Sequence, residues 1–219
     1  MKILIKPLLE GAKSAEGLVV IIDVINACST IVECFEEGAR EVIPVKSMEE
    51  ALKLKRKNGG LICGEMKNIR IKPDFYNSPY HSSRTDLKNK RVIIKTEAGT
   101  KGILAAKKAK EIILGCFLNA TAVAKYIKKK NPKIVTLVPM GDYGKTKNIE
   151  DQIFAEYLKN LLGGMKNKDF EKIKWRIKYG SLRNIFRSVF LIKHIESVLK
   201  LDTSRKVPKF VNGKLICNL

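Results

Sequence analysis

Three observations predict an α/β protein, a three-layer α/β/α arrangement with a mainly parallel or mixed sheet and internally duplicated halves. Apolar β-branched runs of strand length alternate with segments of helical period. No apolar run is long enough to span a membrane. Residues 19–45 and 92–115 also read as two copies of one unit, VVIIDVINACSTIVECFEEGAREVIPV and VIIKTEAGTKGILAAKKAKEIIL.

In each copy an apolar strand reaches a short polar turn and then Thr30 or Thr100. Nine residues on stand Ala39 or Ala109, then Arg40-Glu41 or Lys110-Glu111, then another apolar run. Strand, turn, helix, strand is the reading. Ser47 then opens MEEALKLKR and Asn119 opens TAVAKYIKK, each placed as an N-cap before an amphipathic helix. Buried strands follow, LICG ending at Gly64 and the run IVTLVPMG ending at Gly141. The chain is expected to form one domain over residues 1–219. Its repeat halves span about 18–75 and 90–160, with a C-terminal extension over 165–219.

Residues 65–90, with Pro73, Pro79 and clustered Asn and Ser, form a long connection between the repeats. Long irregular connections in compact domains are more often functional than idle. A second loop, 142–151, leads into a helix that Gly163-Gly164 stops. Ile185, Val189, Ile192, Ile195 and Leu199 fall at helical spacing and are expected to dock on the sheet as core.

Composition narrows the function. The five cysteines are scattered, without any CxxC spacing, and read as reduced, mostly buried thiols of a cytosolic protein. The N-terminal MKILIKPLLEG carries charges too close to its short apolar run for a signal peptide. With two histidines in the chain, a histidine-rich zinc site is excluded. The net charge is +21, and residues 165–219 hold 14 Lys/Arg against 4 Asp/Glu. These bases lie along amphipathic segments, not interleaved with aromatics. A Lys-rich surface therefore explains them first, steering of an anionic substrate second and nucleic-acid binding last.

Residues able to carry chemistry sit where strands end. Asp23 follows the strand VVII and precedes Asn26-Ala27-Cys28-Ser29-Thr30, a place suited to a metal ion, a nucleophile or simple capping of the turn. Ser29 and Thr30 are caps or phosphate donors. Glu65 is expected on the same sheet edge as Asp23, and Glu150-Asp151 form a third acidic site at a helix start. Asp23, Glu65 and Asp151 together suit a hard cation such as Mg2+. Thr96, Gly99 and Thr100 belong to the counterpart turn, read as an anion cradle or as a plain turn and N-cap; Asn119 is an N-cap or a ligand contact. Cysteine-phosphatase, P-loop, haloacid-dehalogenase and Ser-His-Asp signatures all fail.

The ordered motifs DVINACSTIV, GAREVIPV, LICGE, FYNSP, TEAGT, GCFLNATAVA, Gly141 with Glu150-Asp151, Leu201-Asp202 and Val207-Pro208 are specific as a set. From about Leu18 to Pro208 the chain resembles the 2-phosphosulfolactate phosphatase (ComB-like) family. The resemblance implies a cytoplasmic, magnesium-dependent phosphatase that converts 2-phosphosulfolactate to sulfolactate on the way to coenzyme M. It implies Asp23 as the catalytic residue. It also implies an anion site drawn from Asn26, Ser29, Thr30, Asn77, Ser78, Thr96, Gly99, Thr100 and Asn119. Its partner is then a small anionic phosphorylated substrate, with no membrane and no nucleic acid required; the oligomeric state stays open, a homodimer among the options.

The chain departs from the family pattern near that site. Asn26 and Met66 stand where arginines are expected, and the TTNGT loop reads Thr96-Glu97-Ala98-Gly99-Thr100. An arginine-to-phosphate bond is worth roughly 1.5–3 kcal/mol. A diverged relative with altered or lost activity, binding another anion, is therefore the second reading. A basic nucleic-acid-binding protein is the third.

Overall fold

A computed structural model of the chain describes residues 1–65, 71–165, 167, 169–182 and 189–217. The elements run in chain order: β1 (Lys2–Ile5), α1 (Leu8–Lys13), β2 (Gly17–Ile22), α2 (Ala27–Glu36), β3 (Glu41–Pro44), α3 (Met48–Asn58), β4 (Leu61–Gly64), β5 (Phe75–Tyr76), α4 (Pro79–Ser82) and β6 (Arg91–Ile94). There follow α5 (Gly99–Ala105), β7 (Ala109–Gly115), a single 3-10 turn (Phe117–Asn119), α6 (Ala120–Lys130), β8 (Ile134–Pro139), α7 (Ile149–Gly163), α8 (Phe170–Leu182), α9 (Val189–Val198), β9 (Lys209–Val211) and β10 (Lys214–Ile216).

All ten strands join one mixed sheet in the order β1-β8-β2-β7-β9-β10-β3-β6-β4-β5. β1, β8, β2 and β7 are mutually parallel, as are β3, β6, β4 and β5. The hairpin β9-β10 joins the two sets through antiparallel pairing to β7 and to β3. When β2 is matched with β6, β3 with β7 and β4 with β8, the order reads the same from both ends. Two of the βαβ connections cross the molecule: α2 carries the chain from β2 in one set to β3 in the other, and α5 returns it from β6 to β7.

The strands are apolar on successive residues because both faces are covered. In β2, Val19 and Ile21 face a core shared with α1, α2, α5 and residues of β3 and β6, while Leu18, Val20 and Ile22 face α6, α7 and α9. In the second set, Ile62 and Ile93 pack under α3, and Cys63, Val92 and Ile94 turn to the shared core. This gives the three layers expected. Ser47 caps α3 by accepting the Glu50 N–H at 3.2 Å. Gly164 ends α7 in the left-handed conformation, φ 73°. Of the apolar positions expected at the C-terminus, Ile195 and Leu199 are buried against the β2/β8 face, and Ile185 lies outside the described residues.

Two expectations change. Asn119 occupies the first position before α6 but its side chain does not cap that helix; it turns back to bind the Cys116 N–H at 3.0 Å. Capping passes to Asp202, whose carboxylate accepts the Thr121 N–H and hydroxyl, each at 2.6 Å. The segment read as a C-terminal extension also supplies the hairpin at the centre of the sheet. Its signal was present in the sequence: Asn212-Gly213, at φ 50° and 81°, is the two-residue turn that matches the twist of paired strands.

Candidate active site

Because the two parallel sets run in opposite directions, a flat sheet would place their strand ends at opposite edges. The starts of α2 and α5 nevertheless touch, over the one core that both helices share. A Cβ built on Gly99 would lie 2.6 Å from the Ala27 Cβ and 2.8 Å from Asp23 Oδ2. Only glycine at 99 and a small residue at 27 permit this approach. Asp23, at the end of β2, sits in the junction and is 6% exposed. Ala27 N–H donates to its Oδ1 at 3.2 Å, and Gly99 N–H donates to the same carboxylate.

The other acids gather around it. Asp151 is fully buried at the first turn of α7, positioned by the Asn148 cap. Its Oδ1 accepts the Val24 N–H at 2.8 Å and its Oδ2 the Gly141 N–H at 2.9 Å, so one carboxylate fastens the loop after β2 to the loop after β8. Glu65, at the end of β4, accepts the Glu97 N–H on Oε1 at 2.9 Å. The 96–100 turn thus binds Glu65 through Glu97 and Asp23 through Gly99. Burial pushes the Asp23 carboxyl up to about 7, and the Ala27 and Gly99 N–H groups oppose that rise while the charges of Glu65 and Glu150 add to it. Asp151 is raised as well, by burial first and then by Asp23.

The sequence-selected residues divide by what their side chains do. Asn26 and Thr30 open α2, and Asn77 follows β5; Asn26 Oδ1, Thr30 Oγ1 and Asn77 Oδ1 are buried with no hydrogen-bond partner among the described residues. Unpaired buried oxygens are rare and point to a ligand. The remaining side chains are engaged internally. Ser29 donates to the Val24 carbonyl at 2.8 Å. Thr96 and Thr100 cap one another, with Thr100 N–H on Thr96 Oγ1 at 3.1 Å and Thr96 N–H on Thr100 Oγ1 at 3.1 Å. Ser78 caps α4 through the Tyr80 N–H at 3.2 Å. Asn119 donates to the Leu114 and Lys206 carbonyls. Met66 lies outside the described residues.

Among the described residues no group of three or more His, Cys, Asp or Glu side chains is arranged to hold a metal ion. The oxygen chemistry still fits a hard cation in part: Asp23, Glu65 and the unpaired Asn26 oxygen are suitable donors, and each oxygen of Asp151 keeps a lone pair beside the main-chain N–H it accepts. Sequence reasoning passed over the pairing of Glu97, which forms ion pairs with Lys95 and, at 2.8 Å, with Lys101. An acid flanked by lysines at i−2 and i+4 was its signal. No helix among the described residues is long and apolar enough to cross a membrane.

A twisted α/β sheet whose strand ends converge on a near-neutral carboxyl defines a protein that handles a small polar ligand at the meeting of two βα loops. The comparisons with known proteins specify which. The sequence profile described as 2-phosphosulpholactate phosphatase matches residues 3–213, and the chain belongs to that family. A Clostridium acetobutylicum protein named "Probable 2-phosphosulfolactate phosphatase" is 32% identical over 215 residues, covering 90% of this chain and 91% of its own. A protein of the same name from Thermotoga petrophila is 35% identical over 210 residues, covering 90% of each chain. Another, from Carboxydothermus hydrogenoformans, is 38% identical over 160 residues, 72% of this chain and 66% of its own.

Proposed function

We propose that this protein hydrolyses a small, multiply anionic phosphomonoester, 2-phosphosulfolactate, releasing sulfolactate and inorganic phosphate, in the cytoplasm and within coenzyme M synthesis. The observation that carries the reading is Asp23: a buried carboxyl with a pKa near 7, held by two main-chain N–H groups where α2 and α5 meet, in a chain of the phosphatase family. A group poised near neutrality suits general-base work on an attacking water. Asp23 takes a proton from that water as its oxygen attacks phosphorus, the P–O ester bond breaks, and the leaving sulfolactate alkoxide takes a proton from solvent water. The unpaired oxygens of Asn26 and Thr30, at the start of α2, flank the reacting group, and the positive end of the α2 dipole favours the phosphoryl charge.

Asp23, Glu65 and the Asn26 amide oxygen would hold Mg2+, which when bound supplies charge neutralisation to the phosphoryl group. Asp151 acts first as a brace, fixing the loops that carry Asp23 and Gly141, and its free lone pairs would make it a further ligand. The test is phosphate release from 2-phosphosulfolactate with Mg2+, run beside Asp23→Ala. Turnover in the wild type and a loss of at least 10³-fold in the variant support the reading; equal rates remove Asp23 from the chemistry. The stereochemical course at a chiral, oxygen-isotope-labelled phosphoryl group separates base from nucleophile, because direct attack by water inverts phosphorus and a phospho-Asp23 intermediate gives net retention.

The replacement of two expected arginines favours a second reading, a diverged member acting on another anion. Asn26→Arg combined with Met66→Arg raises kcat/KM for 2-phosphosulfolactate if the site is otherwise intact. No change, alongside turnover of a different phosphomonoester, favours the second reading.

A further inference from the structure

The ion-pair cluster beside the catalytic junction is absorbed neither by the fold nor by the chemistry at Asp23. Lys95 ends β6 with its side chain 11% exposed, and Lys101 lies on the first turns of α5. Their ammonium groups hold the two oxygens of one carboxylate: Lys95 takes Glu97 Oε1 and Lys101 takes Oε2. The pairing holds the Glu97 carboxyl below its usual range, Lys101 contributing first and Lys95 second, so it is charged at neutral pH. Meanwhile the Glu97 main-chain N–H binds Glu65. The cluster is therefore fixed to the same turn that holds Asp23, and two cations there grip an anion that the protein itself supplies.

We infer that Lys95 and Lys101 form a subsite for a second anionic group of the substrate, a carboxylate or sulfonate, and that the Glu97 carboxylate occupies it until that group arrives. The inference rests on the phosphatase reading and names the residues that meet the substrate's second anion and the side chain that competes with it. A bare ammonium at Lys95 would be costly because the side chain is nearly buried, and Glu97 removes that cost in the free protein. An incoming carboxylate or sulfonate replaces Glu97 charge for charge. A phosphomonoester without a second anion has nothing to exchange, so the cluster selects against it. The side chain and main chain of residue 97 are separable here, because Glu97→Gln removes the competing charge and keeps the N–H that binds Glu65.

The experiment compares kcat/KM for 2-phosphoglycolate, which carries a second anion, with that for ethyl phosphate, which does not. It uses the wild type, Glu97→Gln, Lys101→Met and Lys95→Met, with calorimetric binding of sulfoacetate to each. In Glu97→Gln the preference for 2-phosphoglycolate rises about tenfold and sulfoacetate binds about tenfold more tightly, the size expected for one charge at a partly screened site. In the two lysine variants both quantities fall below the wild type; Lys101→Met, at an exposed position, keeps the test readable if Lys95→Met does not fold. A preference and a sulfoacetate affinity unchanged in Glu97→Gln overturn the inference. Failure of the wild type to release phosphate from either ester overturns the phosphatase reading instead, and sulfoacetate binding still judges the subsite.

Discussion

Replacing Asp23 by Asn separates what this residue does for function from what it does to the fold. The folded protein raises the Asp23 carboxyl from the ordinary 3.8 to about 7, so between those values the folded state binds a proton that the unfolded state releases. Such a group contributes stability that is fully present below pH 4 and lost as pH rises through 7. The shift of about three units corresponds to roughly 4 kcal/mol, and about 2–3 kcal/mol of it falls between pH 5 and pH 8. The amide is neutral throughout and can still accept from Ala27; whatever it loses toward Gly99 is the same at every pH. Guanidinium unfolding without divalent cations should show the wild type losing about 2–3 kcal/mol relative to Asp23→Asn on going from pH 5 to pH 8. Phosphate release by the variant falls at least 10³-fold. A variant whose deficit or gain is the same at both pH values would refute the claim that burial of this carboxylate is a standing cost. Retained activity would refute its chemical role.

Further expectations concern the parts that shape the junction. Gly99→Ala forces its methyl onto Ala27 and Asp23 and should cost about 1–3 kcal/mol, with kcat falling more than KM rises, read by thermal unfolding and steady-state kinetics. Asp151→Asn can accept from only one of Val24 and Gly141 and turns an NH2 toward the other; the loss is about 1–3 kcal/mol by chemical denaturation. Glu41, 4% exposed, joins β3 to β6 and β10 through Arg91 and Lys214, each at 2.7 Å, and Lys214 then Arg91 hold its carboxyl below the usual range against burial. Its stabilisation is present above pH 4.5 and fades as pH falls through its lowered pKa. Glu41→Gln, whose cationic partners are partly exposed, should therefore cost about 1–2 kcal/mol at pH 7 and little at pH 3. Addition of Mg2+ should raise the melting temperature of the wild type and leave that of Asp23→Asn unmoved.

Much of the fold was legible because it is written in local pattern. The β2 run is apolar from Leu18 to Ile22 and β8 at every residue but Thr136, as suits strands covered on both faces, and Ser47 and Gly164 stand where a cap and a helix stop require them. The acids at the ends of β2 and β4, Asp23 and Glu65, and Asp151 at the start of α7 were visible for the same reason. Asp23 lies close enough to each of the other two for their charges to interact, though the described residues form no three-acid metal site. What stayed hidden is long-range. Nothing local says that α2 leaves one parallel set and enters the other, because crossover depends on which strands pair. The Asn212-Gly213 turn was readable, but residues 209–216 looked peripheral until β7 and β3 were seen to need antiparallel partners. Asp151 was selected for its charge and serves through two main-chain bonds, to residues 127 and 10 positions away, which no spacing rule reports. Asn119 misled because Cys116 and Lys206 offered its amide better partners than the helix start did.

The assignment of chemistry to the meeting of α2 and α5 is tested most directly by crystals soaked with Mn2+ and phosphate, the metal located by its anomalous signal. The account predicts manganese on the carboxylates of Asp23 and Glu65, and phosphate within hydrogen-bond reach of the Thr30 hydroxyl at the start of α2. Ions bound with full occupancy elsewhere, and neither at this junction, would contradict it.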